Sequence, residues 1–195
     1  YPGFSNPDLE PETSRNVEMG AYFYGTAMGG TWEARAIAYR NRVSELIVLQ
    51  CDADFNCIPH NVQRATLEGV TLGLSARFGD TTIGASLDLA NPEDDLTGML
   101  LPRRARQHGA VTLGQTIGAV RLGAEVVASS YRFDDAANTR RLGGYGILNL
   151  TAEWDLAKGW TLFARANNVF DQDYQLAADF STGGATLFAG LRWRP

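Results

Sequence analysis

The residues of this chain that could do chemistry are few, and most of them are arginines. The two histidines, His60 and His108, lie far apart, with no cysteine or carboxylate at the spacing a metal site needs. Neither a G-x-S-x-G elbow nor a phosphate-binding glycine loop is present. No catalytic constellation, resident metal or cofactor is therefore expected, and the chain does not read as an enzyme. The segment Cys51-Asp52-Ala53-Asp54-Phe55-Asn56-Cys57 begins like a calcium loop, with side-chain oxygens at alternate positions. Cys57 stands where such a loop needs glycine, however, and Gln63 where it needs the closing glutamate. The competing reading is a Cys51–Cys57 disulfide around a small surface loop, which needs an oxidising compartment and would pin the segment only locally. Arg103, Arg104 and Arg106 cluster in one loop, and Arg140-Arg141 repeat the theme in another. Guanidinium forks suit phosphates and amides. The plainer reading is a solvated rim, or one attracted to anionic lipid headgroups.

The elements that must carry these residues alternate with a period of two. In the tail, Leu148, Leu150, Ala152 and Trp154 fall on one face, and Asn149, Thr151, Glu153 and Asp155 on the other. After a short turn at 156–159 the pattern returns, with Trp160, Leu162, Ala164 and Ala166 opposite Thr161, Phe163, Arg165 and Asn167. It returns again with Leu187, Ala189, Leu191 and Trp193 against Thr186, Phe188, Gly190 and Arg192. Such alternation describes strands with one apolar and one polar face. Two situations produce it: a soluble sheet on a core, or barrel strands between lipid and a watery lumen.

Earlier segments read the same way. Strands are expected around Val17–Tyr24, Trp32–Val43, Val62–Phe78 and Ile83–Leu89, then one ending near Gln115 and one at Val120–Val126. With the three tail strands this makes about nine, and no segment has helical periodicity. Pro2, Pro7 and Pro11 mark the first segment as a loop. Connections alternate in length: short at Ala27–Gly30, Gly79–Asp80, Thr116–Ala119 and Leu156–Gly159, long at Ser44–Asn61, Ala90–Arg104, Asp134–Arg141 and Asp171–Gly184. Putting every long loop at one end is the habit of outer-membrane barrels, and a soluble sandwich has no reason for it. Trp32, Trp154 and Trp160 sit beside short turns, where an aromatic girdle would meet the membrane interface.

Totals fit that choice. A mean hydropathy of −0.18 is what lumen-facing polar positions produce. The net charge of −5 argues against a nucleic-acid partner. An odd number of strands cannot close an antiparallel barrel without a parallel seam. The fold class expected is thus all-β: an antiparallel transmembrane β-barrel, of which this chain supplies about nine C-terminal strands.

Three stretches carry a family resemblance: NPDLEPETSRNVEMG (Asn6 to Gly20), NVQRATLEGVTL (Asn61 to Leu72) and NNVFDQDY (Asn167 to Tyr174). With the tail from Leu187 to Trp193 they span the chain in order, and together they resemble the barrel of TonB-dependent outer-membrane receptors. LLPRRARQ (Leu100 to Gln107) and LGGY (Leu142 to Tyr145) look most like the vitamin B12 branch of that family. The sequence departs from the family pattern at its end, where Arg194 and Pro195 follow Trp193.

The resemblance implies a 22-stranded barrel closed by an N-terminal plug. Residues 1–195 would be its C-terminal part, with the plug and the first barrel strands outside them. It further implies residence in the bacterial outer membrane, in contact with its lipid. The implied partners are cobalamin or a similar large scarce ligand, and TonB through the plug region. Arg103, Asp179 and Phe180 become candidate ligand contacts by the same resemblance, Phe180 laying an aromatic face on a flat macrocycle. The alternatives are an iron-siderophore receptor of the same class and a passive outer-membrane pore.

Overall fold

A computed structural model describes residues 6–51, 56–157 and 159–194, and the side chains of all of these but 51, 62 and 63. Strands β1 (Thr13–Ala27), β2 (Gly30–Cys51), β3 (Cys57–Phe78), β4 (Thr81–Asp94), β5 (Gln107–Ile117) and β6 (Val120–Ser129) follow one another in a meander. Two short strands, β7 (Arg132–Phe133) and β8 (Arg141–Leu142), pair with each other outside it. The meander resumes with β9 (Tyr145–Asp155) and β10 (Trp160–Asn167). A second small ribbon, β11 (Gln175–Ala177) with β12 (Phe180–Ser181), precedes β13 (Thr186–Trp193). The result is one nine-stranded antiparallel sheet, ordered β1-β2-β3-β4-β5-β6-β9-β10-β13, and no helix occurs among the described residues. Its two edges, β1 and β13, do not pair with each other, so the sheet is an open arc of wall.

Turn chemistry sets the short end. Ala27 pairs with Gly30, Phe78 with Thr81 and Ile117 with Val120, leaving two-residue connections. Gly79 and Gly118 open their turns at φ 58°, a left-handed conformation that glycine adopts without strain and that matches strand twist.

Register then sorts the side chains, because residues directly opposite in an antiparallel ladder share a face. Across the tail, Leu150 faces Ala166, and Ala166 faces Leu187. Leu150 also opposes Ala124, Ala124 opposes Leu113, and Leu113 opposes Ile83. From Ile83 the row runs on through Ala76 to Trp32. Parallel rows, such as Met19–Ala38–Val70–Leu89, give one apolar belt from β1 to β13. Among the described residues nothing covers this belt: Met19 is 80% exposed, Leu187 79% and Trp154 50%. A continuous bare apolar band of that extent is a lipid-facing surface. The opposite face carries Glu33, Arg35, Thr71, Asp88, Thr112, Glu125, Thr151, Glu153, Arg165 and Arg192, as a watery lumen requires.

One of the expected long loops, Ser44–Asn61, is largely strand, and another, Ala90–Arg104, is strand in its first third. The ladder of β2 and β3 does not stop at Val43 but continues to Cys51 opposite Cys57, and β4 runs on to Asp94. Apolar alternation stops there because the hairpin has left the belt, while backbone pairing needs no lipid-facing side chain. Glu45, at φ 57°, breaks the alternation: Val43 and Leu46, of opposite parity, enter one small buried cluster with Ala65 and Leu101. Asn61 ties the hairpin to the preceding segment, donating from its amide to the carbonyls of Glu10 and Glu45 and accepting from Glu10 N–H.

Candidate functional site

Three connections converge at the long-loop end: 95–106, 130–144 and 168–185. Asp134 joins them. Its carboxylate accepts the Arg103 Nε–H at 2.7 Å and the backbone N–H of Ala178 at 3.1 Å. The Arg103 backbone is held as well, its N–H donating to the Phe133 carbonyl at 2.6 Å with φ at 60°. Nearby, Asn138 imitates a strand: its amide oxygen accepts from Leu100 N–H and its amide nitrogen donates to the Leu100 carbonyl, both at 2.8 Å. Asp135 folds the same turn. Burial works against its carboxylate, but hydrogen bonds from Arg140 N–H, Thr139 N–H and the Thr139 hydroxyl together prevail, holding its pKa below the ordinary value.

Of the three ligand candidates, the junction brings two together. Arg103 reaches it through Asp134, and Asp179 through Arg140, whose guanidinium donates to both carboxylate oxygens at 2.7 and 2.6 Å. Phe180 follows Asp179 on the β11–β12 ribbon with 71% of its surface exposed. Arg103 and Asp179 are thus both paired within the protein rather than left as free charges.

Next to the junction sits an aromatic and arginine cluster that the sequence reading does not assemble, although Arg141, Tyr145 and Tyr174 lie in stretches it quotes. Tyr145 stacks on Tyr174 at 4.2 Å between centroids, and the Arg132 guanidinium lies 5.4 Å from the Tyr145 ring centre. Arg132 is buried and donates to the Ser129 hydroxyl at 2.9 Å. Arg141 covers the Tyr131 ring at 4.0 Å, and Tyr131 meets Phe133 edge-on. For the rest the sequence signal is tyrosine next to arginine at Tyr131-Arg132, between the expected sixth strand and the polar loop Asp134–Arg141.

NNVFDQDY, one of the family-bearing stretches, proves to be a folded knot. Asn149 of β9 accepts Asn168 N–H at 3.0 Å while donating to Glu125 at 2.9 Å. Asn168, at φ 48°, exchanges hydrogen bonds with the backbone of Gln172, and Asp171 accepts Ala185 N–H from the returning chain. The motif therefore anchors both ends of the 168–185 connection to the wall.

At the opposite end, lumen-facing charges link four strands. Arg121 of β6 pairs with Glu153 and Asp155 of β9, Glu153 also pairs with Arg192 of β13, and Thr161 of β10 donates to Asp155. The histidines stay apart, His60 opposite Val48 and His108 opposite Asp88. The backbone register sets Cys51 opposite Cys57, and Cys57 is disulfide-bonded. The Cys51 side chain and residues 52–55, on which the calcium reading fell, lie outside the described residues.

A family model described as "TonB dependent receptor-like, beta-barrel" matches residues 1–169. The chain belongs to that family. A vitamin B12 transporter, BtuB, of Vibrio vulnificus is 28% identical over 185 residues, which cover 94% of this chain and 29% of the relative. Its counterpart in Photobacterium profundum is 25% identical, covering 100% and 32%. Among solved structures, the copper transporter OprC superimposes with a TM-score of 0.76 at 19% identity, covering 95% of this chain and 31% of that one. The ferric yersiniabactin uptake receptor FyuA of Yersinia pestis gives 0.71 at 18%, covering 93% and 28%. These structural likenesses speak for the TonB-dependent barrel fold alone. This chain spans about a third of the length of the relatives it matches.

Proposed function

We propose that this chain is the C-terminal wall of an outer-membrane TonB-dependent receptor that takes up cobalamin. The barrel reading rests on the bare apolar belt, which has a physical partner only in lipid. The ligand reading rests on the loop junction at Asp134, which gathers Arg103, Arg140, Asp179 and the exposed ring of Phe180 at one rim. A large polar ligand with amide and phosphate groups suits such a rim. The guanidinium groups donate, the carboxylates accept, and the phenyl ring covers a flat apolar surface. Both named relatives are vitamin B12 transporters, which favours cobalamin over other large ligands. A plug and a TonB-contacting segment belong to the rest of such a receptor, and they carry the energy coupling. Equilibrium binding of cyanocobalamin and of a ferric siderophore to the full-length receptor tests the assignment. Saturable cobalamin binding is expected; binding of the ferric chelate alone would make this a siderophore receptor.

A further inference from the structure

Just above the apolar belt, at its long-loop end, the lipid-side face changes character. Arg15 of β1 and Arg42 of β2 are directly paired on the same face as Met19 and Ala38. Arg64 of β3, opposite Ser44, is the diagonal neighbour of Arg42. All three arginines are exposed, and among the described residues none of them is ion-paired. Arg40, one step nearer the belt, is paired to Glu68 at 3.2 Å. Glu93, opposite Thr66, is the other carboxylate on this face.

Like charges directly opposite in a ladder destabilise it. A chain with a net charge of −5 has carboxylates to spare, yet it places guanidinium against guanidinium here. Height explains the choice. From Trp32 to Arg40 the wall climbs about 20 Å, at about 3.4 Å per residue and a tilt near 40°. An outer-membrane apolar band is about 25 Å tall, so Arg40 lies at its upper edge and Arg15, Arg42 and Arg64 lie just beyond. That is the depth of lipid headgroups.

We propose that Arg15, Arg42 and Arg64 form a docking surface for the phosphorylated headgroup of a lipid in the outer leaflet. Planar guanidinium groups bind phosphate oxygens in pairs, and one phosphate between Arg15 and Arg42 turns their repulsion into two attractions. Acyl chains of the same lipid would run down the belt beside Met19, Ala38 and Val70. This inference rests on the outer-membrane reading above.

The test uses full-length receptor, delipidated in uncharged detergent, with bis-phosphorylated lipid A or its dephosphorylated form added and complexes counted by native mass spectrometry. The wild type should hold the phosphorylated lipid at least tenfold more tightly, and Arg15→Gln/Arg42→Gln should lose most of that preference. Heat-modifiable gel migration and cyanocobalamin binding report whether the variant is folded. If it is not, the comparison of the two lipids on the wild type decides alone. Equal binding of both lipids by the wild type would overturn the proposal, as would an undiminished preference in a folded variant. Full competition by millimolar inorganic phosphate would also overturn it, by making the occupant a soluble anion. A receptor that migrates as a folded barrel yet shows no lipid preference refutes this inference and leaves the barrel reading intact.

Discussion

Arg103 and Asp134 form the ion pair that closes the loop junction, Nε to Oδ1 at 2.7 Å, with the arginine side chain 45% exposed and the aspartate 13%. Because the covered partner also holds Ala178 N–H, it anchors a second loop while it orients the arginine. The exposed part of the guanidinium remains free to meet a ligand.

Arg103→Ala should therefore weaken cyanocobalamin binding by tenfold to a hundredfold, from the loss of a charge-assisted contact of about 1.5–3 kcal/mol. Asp134→Ala should weaken it as well, through position alone. Phe180→Ala should also weaken it, but with less salt dependence, since no charge is removed. Isothermal titration at low and high salt on the full-length receptor separates the three. Unchanged affinity in all of them would take this rim out of the site.

Facing can be tested at neighbouring positions of β4. Leu87 lies on the belt opposite Leu72 and Gly109, whereas Ser86 faces the lumen opposite Gly73 and Ala110. Leu87→Arg should cost about 2–4 kcal/mol of folding free energy in vesicles, and Ser86→Arg much less. Equal penalties by denaturant titration would reverse or abolish the assigned faces.

Orientation follows from the turn lengths. Met28, 97% exposed in a two-residue turn, should face the periplasm, and Leu96, 74% exposed in a long connection, should face outside. In intact cells an impermeant maleimide should label Leu96→Cys and leave Met28→Cys unlabelled. The opposite pattern would invert the wall.

The anchor of the NNVFDQDY knot predicts an effect on stability. Asn149 is 8% exposed, and removing its side chain strands Asn168 N–H in a covered site. Asn149→Ala should cost about 1–3 kcal/mol by equilibrium unfolding. A cost below a few tenths would mean that water takes over its role.

Asp135 carries a pH signature. Its folded pKa lies below the unfolded value near 4, so its contribution to loop order is fully present above that unfolded value. It is lost as pH falls through the lower, folded pKa. Hydrogen exchange at residues 135–140, compared at pH 6 and below pH 3 after correction for intrinsic rates, should show protection disappearing with acid. In Asp135→Asn that difference should be nearly flat.

The sequence made the wall legible and left the loops obscure, for one physical reason. Within the belt each residue such as Leu150 or Thr151 meets a different solvent from its neighbour, and period two follows. Beyond the belt that contrast ends. Paired backbone at Leu46–Cys51 and Asn91–Asp94 therefore read as loop, although its hydrogen bonds are intact. The site suffered similarly. Arg103, Asp179 and Phe180 came from family resemblance, but the residue that gathers the first two, Asp134, is set by contacts across three loops. Linear spacing does not record such contacts. The Tyr145–Tyr174 stack was invisible for the same reason.

Glu45 inverts the meaning of odd and even along β2. Below it, odd-numbered positions such as Arg35 and Val43 look inward; above it, Leu46 and Val48 take that side. A saturation scan across this hairpin should show its tolerance rhythm jump by half a period at Glu45. An alignment that slides one residue past this point would still look regular on both sides, while exchanging every inward residue of the tip for an outward one.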